Sequence, residues 1–292
     1  MLQVLRGDRG LRVHETGSLD ELASVARKIA SSGTDAVVLA GGDGSAMAGL
    51  TALATAFGGE PPPLALTPGG TVCTIARNFG LGGDRVDYTR ALLASVRDGT
   101  ARRTTSTTLE VREEGGASRL GFIFGTGLVS SFFEAYYAAG PGESLGLGAA
   151  AGLVARIFAQ SFVGGPLARR VLTPQPALAT VDGVAAPHEG YSLLVASVVR
   201  DLGLHMWVTY RARERPRRFH VVGSALGPGQ LGPQMPRVLV GRPLVGPGID
   251  ALASSLAVRF TGDRTGYVLD GELLGASGVS VSLGPEITLL SV

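Results

Sequence analysis

Two glycine-rich turns carry the residues of this 292-residue chain best suited to chemistry. In the first, an apolar run ends in Gly41-Gly42-Asp43-Gly44-Ser45 and continues into small residues suited to a helix. A strand that feeds a helix through such a turn sets backbone N–H groups and a positive helix end at the carboxyl edge of a parallel sheet, where phosphate binds. Gly41, Gly42 and Gly44 are expected to adopt positive φ and to let a phosphate approach the main chain. Asp43 is expected to hold a metal ion or a ribose hydroxyl, and Ser45 to add a hydroxyl. The same stretch also reads as a tight turn in which Asp43 is simply an N-cap. A second turn, Thr67-Pro68-Gly69-Gly70-Thr71, repeats the arrangement at the next strand, and two such turns side by side favour a nucleotide cleft.

The elements that position these turns follow from apolar spacing. Residues 11–15 read as a short strand, and Ser18 with Glu21 forms a capping-box pattern ahead of apolar residues at helical spacing. Residues 31–33 stop that helix, 36–40 form a buried strand, 46–57 a helix, 64–67 a second strand and 71–79 a third helical segment. Residues 1–105 therefore read as a doubly wound, parallel α/β nucleotide-binding domain. Beyond them, residues 104–112, 119–124, 177–181, 191–199, 206–213 and 220–226 read as strands, interrupted by one helix over 144–162. This pattern predicts an antiparallel β-sandwich over 106–265, followed by strands at 266–270 and 279–290.

Composition excludes several classes. The chain is 45% hydrophobic and 17% charged, which predicts a globular protein, and a net charge of +2 is too small for a nucleic-acid footprint. Cys73 is the sole cysteine, so no internal disulfide or cysteine-rich zinc site forms, and the four histidines have no ligand spacing. No apolar run has the length of a spanning helix and no leader is expected, which predicts a cytoplasmic protein, either soluble or peripheral at the inner membrane face. Arg211, Arg213, Arg215, Arg217 and Arg218, near Trp207 and Tyr210, read either as a contact for anionic lipid or as a solvated hairpin tip.

LAGGDGS followed by LTPGGTVCTIARNFGL resembles the catalytic domain of the diacylglycerol kinase family, which also includes sphingosine and ceramide kinases. That family reads Gly-Gly-Asp-Gly-Thr, then Pro-Leu-Gly-Thr and Asn-Asp-Phe-Ala-Arg. Here Ser45 replaces Thr, Gly69 replaces Leu and should only loosen the turn, and Cys73 and Thr74 replace Asn and Asp, so a carboxylate near the phosphates is absent. GFIFGTGLVSSFFEAYY is similar to the family's strand, glycine turn and helix, and YVLDGELL to its Asp-Gly-Glu signature.

The resemblance implies ATP and Mg²⁺ as cofactors, with Gly41, Gly42, Asp43, Gly44, Ser45, Thr67, Gly69, Gly70 and Thr71 around the nucleotide and Asp43 at the metal. It makes Asp270 the general base, brought opposite Asp43 by residues 266–292 as they return toward the first domain. Glu272 is a neighbouring carboxylate; from the residues alone, Asp270-Gly271-Glu272 is a β-turn. The implied activity is phosphorylation of a hydroxyl of diacylglycerol, ceramide, a sphingoid base or a related lipid. A kinase of a non-lipid alcohol and a catalytically silent lipid- or nucleotide-binding module are the alternatives, and a homodimer is compatible with each.

Overall fold

The computed structural model describes residues 2–7, 10–70, 73–80, 83–138, 146–262 and 266–292. The chain forms two units, Met1–Thr108 with Gly284–Val292, and Leu109–Leu283. Of the C-terminal residues 266–292, residues 284–292 belong to the first unit and residues 266–283 to the second.

Along the first unit run α1 (Leu2–Gly7), α2 (Leu19–Ser32), β1 (Val37–Gly41), α3 (Asp43–Ala56), β2 (Leu64–Pro68), α4 (Thr74–Asn78), α5 (Arg85–Arg97) and the start of β3 (Arg102–Glu113). The Ser18 hydroxyl caps α2 by accepting from the Glu21 amide, while the Glu21 carboxylate reaches back to the Gly17 amide at 2.7 Å. This is the capping box shifted by one donor. Residues 11–15 form no strand. The helix α5 was not foreseen, although Asp84 accepts from the amides of Val86 and Asp87 ahead of buried Thr89, Leu92 and Leu93 at helical spacing.

In the second unit the order is β4 (Ser118–Gly121), β5 (Ile123–Gly127), α6 (Leu128–Ala138), α7 (Leu147–Val163), α8 (Pro166–Leu172), β6 (Gln175–Val181), β7 (Val184–Ala185), β8 (Gly190–Tyr191), β9 (Leu193–Ser197), β10 (Phe219–Ser224), α9 (Pro228–Leu231), α10 (Met235–Leu239), β11 (Gly248–Ala253), β12 (Ser255–Phe260), β13 (Gly266–Leu269), β14 (Glu272–Gly275) and β15 (Gly278–Ser291). The last strand ends in the first unit. There Leu289 and Leu290 lie parallel to Leu64 and Ala65 of β2, whose other edge pairs in parallel with β1 from Val37↔Leu64 to Gly41↔Pro68. Central in this parallel set, β2 is buried along its whole length, and Leu92 of α5 packs on Ala65 and Leu290.

The second unit is antiparallel. One sheet runs β11-β10-β9-β5-β13-β14; in the other, β12 lies between β6 and the first part of β15. Among the described residues five α-helices, α6 to α10, interrupt the strands where the spacing predicts one, and the start of the expected 144–162 helix lies outside the described residues. Ile157, Val171, Leu172, Leu193, Val195 and Leu231 form one core there.

Residues 206–213, expected as a strand, are a succession of turns. Their polar groups are used by neighbouring segments rather than by a ladder. The Thr209 hydroxyl donates to the Val199 carbonyl, Arg200 Nε to the Ala212 carbonyl and the Arg211 amide to His220 Nδ1. Fully buried His220 also bonds Asp250 through Nε2 at 2.9 Å, and the Tyr210 hydroxyl donates to the same carboxylate at 2.7 Å. Among the described residues no single helix is long and apolar enough to cross a membrane; α7 and α8 pass that test only as a pair bent by 101°.

Candidate functional site

In the first unit the two glycine turns stand at the carboxyl ends of adjacent parallel strands, β1 and β2. The reason for their glycines differs from the one expected. None of Gly41, Gly42 and Gly44 has positive φ; Gly42, at −80°, is the N-cap of α3. What the turns require is space. A Cβ on Gly69 would stand 2.7 Å from Gly41 Cα, and one on Gly70 would stand 2.5 Å from Gly42 Cα, so the two main chains touch directly. The Gly69 amide donates to the Gly41 carbonyl at 2.9 Å within that contact.

Asp43 occupies the first turn of α3 rather than its N-cap, and its side chain serves another helix. Oδ2 accepts from the Thr74 amide at 2.8 Å and Oδ1 from the Ile75 amide at 3.1 Å, which satisfies the first two amides of α4. Burial pushes the Asp43 carboxyl above its ordinary value, against the opposing pull of the Ile75 and Thr74 amides, the Thr74 hydroxyl and the Arg77 cation. Arg77, on α4, adds a cation near this carboxylate that no glycine signals. Cys73, just before α4, has φ of 52°, and its thiol donates to the Gly70 carbonyl at 3.2 Å. Burial raises the thiol's pKa, which keeps it protonated.

Of the other residues expected here, Ser45 is exposed beside Gly41, and Thr67 is buried with its hydroxyl facing the Leu39 carbonyl at 3.4 Å. Thr67 therefore serves the sheet. Thr71 lies outside the described residues. Among the described residues, no group of three or more His, Cys, Asp or Glu is placed to hold a metal ion.

In the second unit, Asp270 and Gly271 are the central pair of a two-residue hairpin turn, with φ of 47° and 90°, between paired Leu269 and Glu272. The Asp270 side chain is 3% exposed and accepts from the Phe122 amide at 3.0 Å and the Ile123 amide at 2.8 Å. A Cβ at Gly121 would meet its Oδ2 at 2.7 Å, so that glycine makes room for the carboxylate. Glu272 is exposed. Its negative charge, after burial, helps to raise the pKa of Tyr137, whose hydroxyl donates to the Gly271 carbonyl at 3.2 Å.

Residues 3–107 match the sequence model of the diacylglycerol kinase catalytic domain. The match covers both glycine turns, Asp43 and α4, and with it the first unit carries a kinase-family domain that supports a phosphotransferase. Two solved structures provisionally assigned as diacylglycerol kinases, both from Bacillus anthracis str. Sterne, share the fold. One has a TM-score of 0.66 at 16% identity, over 95% of this chain and 83% of its own. The other has 0.66 at 15%, over 100% and 89%. A diacylglycerol kinase structure from the same organism gives 0.60 at 14%, over 97% and 84%. No curated protein sequence matches the chain.

Within this diacylglycerol kinase-type domain the departures from the family pattern acquire physical meaning. Gly69, where the family has Leu, does not loosen the turn; it permits the backbone contact with Gly41. Thr74, where the family has Asp, gives its amide and its hydroxyl to Asp43, whereas an aspartate there would face a like charge.

Proposed function

We propose that this protein is an ATP- and Mg²⁺-dependent kinase that transfers the γ-phosphoryl group to a hydroxyl of diacylglycerol, ceramide, a sphingoid base or a related lipid. The observation that carries the reading is the pair of glycine turns fastened together by Asp43 at the end of a parallel sheet. The first-turn amides of α3 stand at the carboxyl end of a parallel strand, the setting in which a helix N-terminus binds phosphate. In the transfer, the bond from the γ-phosphorus to the ADP oxygen breaks, a bond to the alcohol oxygen forms, and the hydroxyl proton passes to a carboxylate.

The two amides and the Thr74 hydroxyl take three of the roughly four acceptor positions of the Asp43 carboxylate and leave one. That fits Mg²⁺ held by one carboxylate together with nucleotide phosphates and water, not by a protein cage. When bound, the ion neutralises the phosphate oxygens. The proposed proton acceptor is Asp270, with Glu272 beside it, and the role requires that turn to meet the transferred phosphoryl group.

A second reading, a nucleotide-binding module without transfer, is favoured by one observation. The Asp182-Gly183 turn between β6 and β7 repeats the geometry of Asp270-Gly271, with φ of 46° and 81°, and Asp182 likewise accepts from backbone amides, those of Ser254 and Ser255. An aspartate in this setting is a fastening whether or not it also takes a proton. Incubating the purified protein with labelled ATP, Mg²⁺ and diacylglycerol, ceramide, sphingosine, a monoacylglycerol and glycerol separates the readings. Label in a lipid product supports the kinase, label in glycerol alone a non-lipid acceptor, and ATP binding without any product the silent module.

A further inference from the structure

We infer that the second unit docks on anionic lipid bilayers through the bent helix pair α7–α8 and the segment packed beside it, rather than through the arginines at 211–218. Those arginines are largely spoken for. Arg211 pairs with Glu214 at 2.8 Å and lies 3.6 Å from Asp250, Arg218 pairs with Asp182 at 2.8 Å, and burial lowers the pKa of Arg213.

The α7–α8 segment carries charge of one sign in its own sequence. Residues 147–172 contain Arg156, Arg169 and Arg170 and no Asp or Glu. The chain that packs on α7 continues the pattern: residues 226–249 contain Arg237 and Arg242 and again no acidic residue. The packing is close, since a Cβ on Gly232 would fall 2.1 Å from the buried Ser161 hydroxyl oxygen of α7.

Apolar side chains project from the same two segments. Phe162 and Val163, at the bend between the helices, are 61% and 79% exposed; Val240 and Val245 are 61% and 60% exposed. Ala155 and Ala159 of α7 are also exposed, and on that stretch Arg156 is the sole charge. Exposed large apolar side chains on two segments whose own charges are all positive match the two demands of a bilayer of net negative charge. The side chains enter the acyl boundary and the guanidinium groups stay with the phosphates. A protein partner of ordinary mixed charge makes no such one-signed demand. No single described helix is long and apolar enough to cross a bilayer, and the pair is bent by 101°, which suits an interfacial contact.

The test is co-sedimentation of the full chain, without ATP, with vesicles of phosphatidylcholine alone or with about one-third phosphatidylglycerol. Omitting nucleotide keeps a failure here distinct from a failure of the kinase reading. Binding is expected to the anionic vesicles only and to fall when salt shrinks the screening length from ~10 Å at 0.1 M to ~3 Å at 1 M. Arg156→Gln with Arg169→Gln should weaken it by about fivefold per charge, and Phe162→Asp with Val163→Asp should abolish it, while Arg215→Gln with Arg217→Gln leaves it unchanged. Because all these side chains are exposed, melting temperatures should match the wild type. Equal binding to neutral vesicles, or unchanged binding by the Phe162→Asp and Val163→Asp variant, overturns the inference. So does sedimentation velocity that shows a dimer dissolved by that variant in a protein indifferent to vesicles.

Discussion

The Asp43 carboxylate bridges two parts of the chain 31 residues apart, accepting at 2.8 Å from the amide of Thr74. It opens α3 and at the same time caps α4, so the two glycine turns are held as one piece.

Asp43→Ala should therefore cost stability as well as nucleotide binding. Two helix-end amides lose their acceptor, for a cost of about 1–3 kcal/mol, which lowers the melting temperature by several degrees. Scanning calorimetry beside nucleotide titration checks both. An unchanged melting temperature would show that the fastening contributes nothing.

The raised pKa of Asp43 gives stability a particular pH dependence. Burial lifts the folded-state value above the ordinary 3.8, so between these two values the native protein holds more protons than the unfolded chain. The Asp43 contribution is then fully present below 3.8 and is lost as pH rises through the folded-state value. Asp43→Asn removes that titration. The difference in melting temperature between wild type and Asp43→Asn should change over this window and be flat above it.

Substitutions at the glycines should rank by distance. Gly69→Ala and Gly70→Ala set a Cβ 2.7 and 2.5 Å from opposing backbone and should cost about 1–3 kcal/mol, whereas Gly42→Ala, at 3.3 Å, should cost less. Gly69→Leu restores the family's residue and should still destabilise. Denaturant midpoints for the four variants settle the order.

Cys73 holds left-handed backbone, φ 52°, at the entry to α4. Asparagine tolerates that region better, so Cys73→Asn should stabilise by up to ~1 kcal/mol, less the weak bond from the thiol to the Gly70 carbonyl. The buried thiol, its pKa raised, should react slowly with a thiol reagent at neutral pH until the first unit unfolds. Fast labelling of native protein would contradict the placement of this turn.

Asp270→Asn should lower stability, because one of the positions facing the Phe122 and Ile123 amides becomes a donor. Asp182→Asn, in the matching turn, calibrates the cost of the fastening alone. If Asp270 takes the proton, its variant should lose about 10²- to 10⁴-fold in phosphoryl transfer, while the Asp182 variant retains its rate. Equal rates in both variants would leave Asp270 a turn residue only, and Glu272→Gln would then be the variant to lose turnover.

The sequence alone determined the features whose causes lie within a few residues. Ser18 and Glu21 announce α2 because a cap needs only the next turn of chain, and the apolar runs ending at Gly41 and Pro68 announce strands, of which β2 is buried throughout while β1, expected to be buried too, is half-covered with Ala40 exposed. The glycine turns were legible for the same reason. The tertiary structure decided what those local signals served. That Asp43 caps α4, that Gly69 is small for the sake of Gly41, and that Asp270 fastens the Phe122 and Ile123 amides are facts about segments distant along the chain, and no spacing encodes them. Residues 206–213 show the converse. Their pattern suits a strand, but two main-chain groups that would pair in a ladder, the Ala212 carbonyl and the Arg211 amide, are claimed by Arg200 and His220 side chains, so contacts with other segments override local preference.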